Sequence, residues 1–214
     1  MALSKDVIAA LYRRRADWYD LSANSYYLIG LRESAYRRIA VDALRLSPGH
    51  TVVEIGCGTG LNFDLLQQQI GPRGRIVGVD LTPEMLSKAG ERVIRKGWSN
   101  VRLTQSDAAV FEFPQPVDGV ISTFALTLVP EYDQVIENAA RALGKGRRLV
   151  IMDFKRPNWP AWVIDLFAVI TRPFGVTRDL GERHLGESVE RHFDTVTFKA
   201  YYFGGIYICV GQTA

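Results

Sequence analysis

A glycine-rich loop is the first part of the sequence whose residue types suggest chemistry. Residues 54–60, EIGCGTG, directly follow a β-branched run that predicts a buried strand and directly precede a segment with helical spacing. Glycines at such a junction let the backbone approach a ligand closely and turn sharply into the helix. We therefore predict a cofactor-binding loop. Its candidate contact residues are Glu54, Gly56, Cys57, Gly58, Thr59, Gly60 and Asn62.

Two acidic residues follow this loop at the ends of the next two predicted strands. Asp80 ends the second strand, about 20 residues after the loop, where an acidic residue binds ribose hydroxyls in Rossmann-type sites. Asp107, within Ser106-Asp107-Ala108, ends the third strand, where a carboxylate can accept the adenine amino group. Parallel strands present their carboxyl ends at one edge, so these residues together predict a nucleoside-containing cofactor. The alternatives are a helix-capping role for Asp107 and an ordinary turn for the glycines.

Two details favour S-adenosyl-L-methionine (SAM) over a dinucleotide. The spacing GCGTG lacks the third glycine of the G-x-G-x-x-G pattern that accommodates a pyrophosphate. The carboxylate of Glu54 would repel a pyrophosphate, whereas the cationic amino-acid end of SAM would tolerate or use it. We therefore predict SAM as the cofactor and S-adenosyl-L-homocysteine as the product. No metal is expected, because the two cysteines, Cys57 and Cys209, form no ligand cluster.

The elements that would position these residues alternate along the chain. Helical spacing covers residues 7–46, and five buried strands follow, separated by helices or turns: TVVEIG, RIVGVDL, VRLTQSD, VDGVISTFAL and RRLVIMDF. The C-terminal runs HFDTVTFKAYY and GGIYICVGQT predict an antiparallel hairpin at the sheet edge. The fold class is therefore α/β, with a Rossmann-like, seven-stranded, mostly parallel sheet and helices on both faces. Residues 1–46 are predicted to form a helical lid, and residues 47–214 the SAM-binding domain, with a substrate-side insertion at 154–183.

Composition excludes several other classes. The 214 residues are 47% hydrophobic and 23% charged, which predicts one ordinary globular core. A net charge of +3 does not by itself predict nucleic-acid binding. The first residues have too short an apolar run for a signal peptide, and no stretch is long enough to span a membrane. With only two cysteines, the expected location is the reducing cytoplasm.

Four segments of the chain resemble the successive motifs of class I SAM-dependent methyltransferases: VVEIGCGTG, GVDLTPEML, SDAA and ISTFALTLVP, within residues 51–153. The subgroup that they resemble most holds the ubiquinone/menaquinone-type methyltransferases and the bacterial phospholipid N-methyltransferases. This resemblance implies a Rossmann-like fold, SAM as the cofactor and a methyl-transfer reaction.

The resemblance also implies where each part of SAM would lie. From the methionine end to the adenine, the implied contacts are Gly56, Gly58 and Gly60; Asp80 at the ribose; Leu81 and Met85 against the adenine; and Ser106, Asp107 and Ala108 at the adenine edge. Ser122 and Thr123, followed by Phe124, would face the methionyl group and the methyl acceptor. In this subgroup a tyrosine of the N-terminal helix often closes over SAM, and the candidates are Tyr19 first and Tyr27 second. The alternative for both tyrosines is an aromatic core contact.

The residues that would act on the acceptor are less well marked in the sequence. His184 lies in the segment expected to meet the substrate and joins Tyr19 and Tyr27 as a catalytic candidate; the alternative is a surface or capping histidine. The histidine pair of many quinone methyltransferases is replaced by Leu126-Thr127-Leu128. The Asn/Asp-Pro-Pro-aromatic run of adenine methyltransferases and the cysteines of arsenic methyltransferases are also absent from the sequence.

Arginines and aromatic residues are interleaved over residues 12–38, and a similar mixture returns at 155–174. Basic helices with aromatic edges suit the surface of an anionic bilayer, although aromatic residues of a lid and a solvated arginine face would give the same pattern. We therefore predict N-methylation of the amine headgroup of a phospholipid or related aminolipid, by a cytoplasmic enzyme peripheral to the membrane. The alternatives are C- or O-methylation of a prenylated quinone or other small molecule, and a SAM-binding regulator without catalysis.

Overall fold

Seven strands form one sheet in the computed structural model, which describes residue 13 and residues 33–155 and 184–214. Runs of β-branched residues supply the buried central strands, because such side chains pack well on a pleated surface. The strands are β1 (Thr51–Ile55), β2 (Arg75–Asp80), β3 (Val101–Gln105), β4 (Val117–Thr123), β5 (Leu143–Phe154), β6 (Thr195–Tyr201) and β7 (Ile206–Gln212).

Strand order and direction determine where the functional residues meet. Across the sheet the order is β3-β2-β1-β4-β5-β7-β6. Strands β1 to β5 pair in parallel, so their C-terminal ends share one edge of the sheet, here called the carboxyl edge. Strand β7 is antiparallel to β5, and its first residue, Ile206, pairs with Phe154, the last residue of β5. The turn that joins β6 to β7 therefore also lies at the carboxyl edge.

Helices cover both faces of the sheet. In the segments 33–155 and 184–214 the α-helices are α1 (Glu33–Ala43), α2 (Phe63–Ile70), α3 (Pro83–Lys96), α4 (Tyr132–Ala142) and α5 (Leu185–His192). Helices α1, α2 and α3 share one buried cluster with Val52 and Ile76, while α4 and α5 share the other with Val53 and Val77. Since neighbouring strand residues point to opposite faces, these two clusters are two core layers. The predicted fold class, including the antiparallel C-terminal hairpin, is confirmed.

The clearest differences from the sequence prediction are two strand boundaries and one helix cap. Strand β5 begins at Leu143 and not at residue 147, which extends its pairing toward the start of β4. Strand β4 ends at Thr123 because Phe124 has a positive φ of 56°, which no strand residue adopts, and a 3₁₀ turn follows at Leu126–Leu128. Thr82 precedes Pro83 at the start of α3 as predicted, but its side chain does not cap the helix.

Part of the predicted lid is built into the core. In α1, Ala40 and Val41 are almost fully buried, as is Leu44 just beyond the helix, and all three recur at helical spacing. The other residues of the predicted lid, apart from Arg13, and most of the predicted insertion lie outside the described residues. Within the described segments, none of the helices combines the length and the apolar character needed to cross a membrane.

Candidate functional site

A cavity opens at the carboxyl edge, where β1 and β4 are neighbours although they are not consecutive in the chain. Such a switch in strand order leaves a crevice in which α/β proteins bind ligands. The cavity encloses about 830 Å³, part of it open to solvent. Ten of the predicted site residues line it: Gly56, Gly58, Asp80, Leu81, Met85, Ser106, Asp107, Ala108, Thr123 and Phe124. Six residues that were not predicted line it too: Ile55, Val79, Thr82, Ala125, Leu128 and Val129.

The loop after β1 needs its glycines for two separate reasons. Gly56, Gly58 and Gly60 all have positive φ angles, of 66°, 53° and 77°, which L-residues rarely adopt. A Cβ atom on Gly56 would also collide with the Cβ of Ala125, so the loops after β1 and β4 touch there. The glycines therefore shape the loop and set the width of the crevice.

Asp80 connects the glycine loop to the start of α3. Its Oδ2 accepts a hydrogen bond from the backbone N–H of Gly58 (2.8 Å), and its Oδ1 accepts one from the N–H of Thr82 (2.9 Å). Burial raises the pKa of this carboxyl, and the hydrogen bonds from Thr82 and Gly58 oppose that shift. Asp80 also lines the cavity, which places its carboxylate where a ligand could meet it.

Asp107 lies in the turn after β3 and also lines the cavity. Its Oδ1 accepts a hydrogen bond from the backbone N–H of Ala109 (3.0 Å), which fixes the turn after β3. Asp107 also lines the cavity, together with Ala108 and Met85. A turn-forming aspartate therefore also offers an acceptor at the end of the cavity built by β2, β3 and α3.

A buried polar network lies behind the cavity and was not predicted. Arg37 of α1, 6% exposed, donates from Nη1 to Thr123 Oγ1 (2.6 Å) and to Asn62 Oδ1 (3.2 Å). Its Nε donates to Glu33 Oε1 (2.8 Å), one helical turn earlier. Asn62 in turn donates to Glu54 Oε1 (2.6 Å) and Thr123 Oγ1 (2.9 Å). The network joins α1 to the ends of β1 and β4.

Glu54 is the buried acid at the centre of this network. It is 1% exposed, and its Oε2 has no hydrogen-bond partner among the described residues. Burial raises its pKa to about 7, against the lowering effect of Arg37 and of the hydrogen bond from Asn62. Such a carboxyl can lose its proton near neutral pH when a cation enters the adjacent cavity.

We predict that Glu54 makes the folded state less stable as pH rises from about 4.5 to 7. In that range the folded protein keeps a proton on Glu54 that the unfolded chain has released, so unfolding becomes easier by about 3 kcal/mol in total. In Glu54→Gln this part of the dependence of the unfolding free energy on pH should vanish. Urea unfolding at pH 4.5, 6 and 7.5 measures it, with the exposed Glu112→Gln as the matched control. Equal slopes for Glu54→Gln and the wild type would contradict the assignment.

The wall beside the end of β4 is apolar. Phe124 packs against Phe154 with ring centroids 4.6 Å apart and the ring planes tilted by 33°, and the Arg37 guanidinium lies 5.4 Å from the Phe124 ring centre. Leu128 and Val129 continue this wall. Among the described lining residues, Asp80 and Asp107 are the ionisable ones, and both come from the strands on the far side of β1. The β4 side is thus suited to an apolar group and the β2–β3 side to a polar nucleoside.

Several predicted site residues do not line the cavity. Asn62 and Glu54 lie in the buried network, and Gly60 packs against Phe63, while Cys57 and Thr59 are buried in the loop. Ser122 is buried, and its neighbour Thr123 faces the cavity, as alternation along a strand requires.

Of the three catalytic candidates, His184 is the one that lies among the described residues, and it does not line the cavity. The His184 side chain is 71% exposed, and its Nδ1 lies 3.2 Å from Glu187 Oε1 at the start of α5, which matches the surface alternative. Tyr19 and Tyr27 lie outside the described residues. Within the described segments no group of His, Cys, Asp and Glu side chains could hold a metal ion.

Comparison with known proteins was decisive for the family. A family model for a methyltransferase domain matches residues 46–173. A ubiquinone/menaquinone biosynthesis C-methyltransferase of Ectopseudomonas mendocina is 30% identical over 201 residues, 90% of this chain and 78% of that protein. The chain belongs to the class I SAM-dependent methyltransferases. A demethylmenaquinone methyltransferase of Listeria monocytogenes is 32% identical over 128 residues, 59% of this methyltransferase and 54% of that protein.

Solved structures agree on the fold. A SAM-dependent methyltransferase from Aquifex aeolicus has a TM-score of 0.60 and 20% identity, covering 83% of this chain and 89% of that one. A Haemonchus contortus phosphoethanolamine N-methyltransferase, solved with S-adenosylhomocysteine, has a TM-score of 0.60 and 20% identity, covering 77% of this chain and 38% of that one. The cofactor of this methyltransferase is SAM, and the cavity fits it. Glycine backbone, the acid that ends β2 and the acid after β3 lie along one crevice, and the Glu54 Oε2, which has no hydrogen-bond partner in the described part of the chain, lies behind the loop.

Proposed function

We propose that this methyltransferase transfers the methyl group of SAM to a ring carbon of a prenylated quinone in its reduced form, with release of S-adenosyl-L-homocysteine and of the proton that this carbon carried. The observation that carries this proposal is the 30% identity to a ubiquinone/menaquinone C-methyltransferase, because the match extends along 90% of the chain. The quinone reaction, an alternative in the sequence analysis, thus becomes the main proposal. The predicted N-methylation of an aminolipid has weaker support, since the phosphoethanolamine enzyme resembles this chain at the level of the fold.

The charges around the cavity support an uncharged, flat acceptor. Phe124, Leu128 and Val129 give the β4 side an apolar surface against which an aromatic ring can pack. An ammonium acceptor would call for carboxylates at that side, and the two carboxylates among the described lining residues lie after β2 and β3. The Arg37 guanidinium behind Phe124 would favour an electron-rich ring over a cation.

The chain's own residues would align the reactants and exclude water. SAM supplies a methyl group already activated by a sulfonium. Asp80 would hold the ribose and Asp107 the adenine, while the loop Gly56–Gly58 backbone would border the methionine part. Arg37 and Asn62 fix the side chain of Thr123 by hydrogen bonds. Thr123 and Phe124 would then set the position of the acceptor beside SAM. Alignment of this kind supplies much of the rate increase in a displacement on an activated donor.

A competition assay tests the proposal. Purified protein is incubated with methyl-tritiated SAM, dithionite-reduced demethylmenaquinol and phosphatidylethanolamine vesicles, and the lipids are then separated by chromatography. Label should enter the quinone fraction. Heat-denatured protein serves as the control for transfer that does not depend on the enzyme. Label in the phospholipid, with none in the quinone, would overturn the proposal in favour of aminolipid N-methylation.

A further inference from the structure

The turn between β6 and β7 presents an exposed aromatic side chain at the carboxyl edge. Tyr202, Phe203 and Gly204 have consecutive positive φ angles of 48°, 54° and 85°. This left-handed run makes a tight turn and leaves the Phe203 side chain 82% exposed. Because β7 starts opposite the end of β5, Phe203 lies at the same edge of the sheet as the SAM cavity.

The turn is anchored on both sides and is not a loose loop. Gly205 donates its backbone N–H to the Tyr202 carbonyl (2.9 Å), and the N–H of Lys155 donates to the Gly205 carbonyl (3.0 Å). Tyr201, the last residue of β6, packs on Tyr36 of α1 with ring centroids 5.5 Å apart. A rigid base of this kind lowers the entropy cost of pressing an aromatic side chain into another surface.

The surroundings of the turn are basic. The Lys155 ammonium lies 4.9 Å from the ring centre of Phe198, and the Lys199 ammonium lies 5.4 Å from that of Tyr201. Both lysines are exposed, and Phe198 is 47% exposed. The sequence from residue 195 to residue 214 contains no aspartate or glutamate. The patch therefore combines exposed aromatic rings with cations and has no acid from its own hairpin.

We propose that this hairpin patch docks on the headgroup region of an anionic phospholipid bilayer, with Phe203 at its turn, Phe198 and Lys155 on one face of the sheet and Lys199 on the other. Aromatic rings prefer that depth, and lysines beside them are attracted by the negative surface potential. Docking there would bring the carboxyl edge, and the cavity in it, next to the membrane. The inference concerns a surface and stands whichever acceptor is methylated. It is also separate from the predicted contribution of residues 12–38, since the patch is built from other residues.

Vesicle cosedimentation of the full chain tests the docking surface. The wild type should bind vesicles of 70% phosphatidylcholine and 30% phosphatidylglycerol. Phe203→Ser should weaken binding about tenfold, because the variant loses the free energy gained when the aromatic ring moves from water into the headgroup region. Ile94→Ser is the matched control. Ile94 is also 82% exposed, but it lies near the end of α3, a helix that starts at the carboxyl edge and runs away from it. Binding by Ile94→Ser should equal that of the wild type.

A second pair of variants tests the charge. Lys199→Gln should weaken binding to the anionic vesicles about fivefold. Lys145→Gln, a substitution at the other end of the sheet, in the first residues of β5, should leave it unchanged. Pure phosphatidylcholine vesicles should bind at least tenfold more weakly than the anionic ones. The proposal is overturned if the wild type binds neither kind of vesicle, or if Phe203→Ser and Lys199→Gln bind the anionic vesicles as tightly as the wild type does. Methyl transfer to a solubilised acceptor, measured in detergent, should be the same for all these variants.

Discussion

Replacing Asp80 by asparagine should raise the dissociation constant of SAM about 100-fold. Under the proposed arrangement the carboxylate accepts hydrogen bonds from the ribose hydroxyls while it holds the N–H groups of Gly58 and Thr82. Hydrogen bonds to a charged group contribute about 1.5–3 kcal/mol each, and 100-fold corresponds to about 3 kcal/mol. Isothermal titration calorimetry with SAM and with S-adenosyl-L-homocysteine measures the effect, which should be similar for both because they share the ribose.

The control for Asp80→Asn is Asp64→Asn, the same chemical change on α2. At the surface, Asp64 Oδ1 lies 2.6 Å from Lys96 Nζ, and Asp64 does not line the cavity. The Asp64→Asn variant should therefore bind SAM as tightly as the wild type. Unfolding of both variants without ligand must be measured as well, because the lost hydrogen bonds to the loop should lower the stability of Asp80→Asn. A folded Asp80→Asn protein that binds SAM as tightly as the wild type would show that the ribose does not lie at Asp80.

The parts of the site that the sequence predicted are those controlled by local pattern. The glycine spacing and the carboxylates at the ends of β2 and β3 can be located because each strand is a short buried run with an abrupt end. In a parallel sheet those ends must meet, so Gly58, Asp80 and Asp107 fall in one cavity without any knowledge of packing. The family resemblance implied that both Ser122 and Thr123 face the cofactor, but of these two only Thr123 lines the cavity, because neighbours on a strand point to opposite faces.

The network around Arg37 depends on how α1 docks, which local pattern does not determine. Asn62 was predicted as a cofactor contact, but it is one of the residues that hold Arg37. A signal was nevertheless present in the sequence. Arg37 precedes Ala40, Val41 and Leu44 by three, four and seven residues, so it lies on the apolar face of the helix. A cation on that face, with an acid four residues earlier, predicts a buried ion pair.

Replacing Arg37 by methionine should lower the free energy of unfolding by about 3–5 kcal/mol. Methionine fills similar space, but Glu33 would keep a buried negative charge without its partner, and Thr123 and Asn62 would each lose a donor. Urea unfolding at pH 7.5 measures the loss. Arg38→Met is the matched control, because Arg38 is the exposed neighbour on the same helix and its variant should unfold within about 0.5 kcal/mol of the wild type.

A double variant separates the charge of Arg37 from its effect on the site. Glu33→Gln with Arg37→Met removes both charges, so most of the lost stability should return, because the penalty comes from the unpaired acid. Methyl transfer should stay reduced in the double variant, since Thr123 and Phe124 still lack the guanidinium that positions them. The reduction should appear in kcat for the acceptor and not in SAM affinity, which under the proposed arrangement depends on Asp80. If the double variant regains full kcat, Arg37 contributes only to the stability of the fold, and the cavity wall beside β4 does not need it.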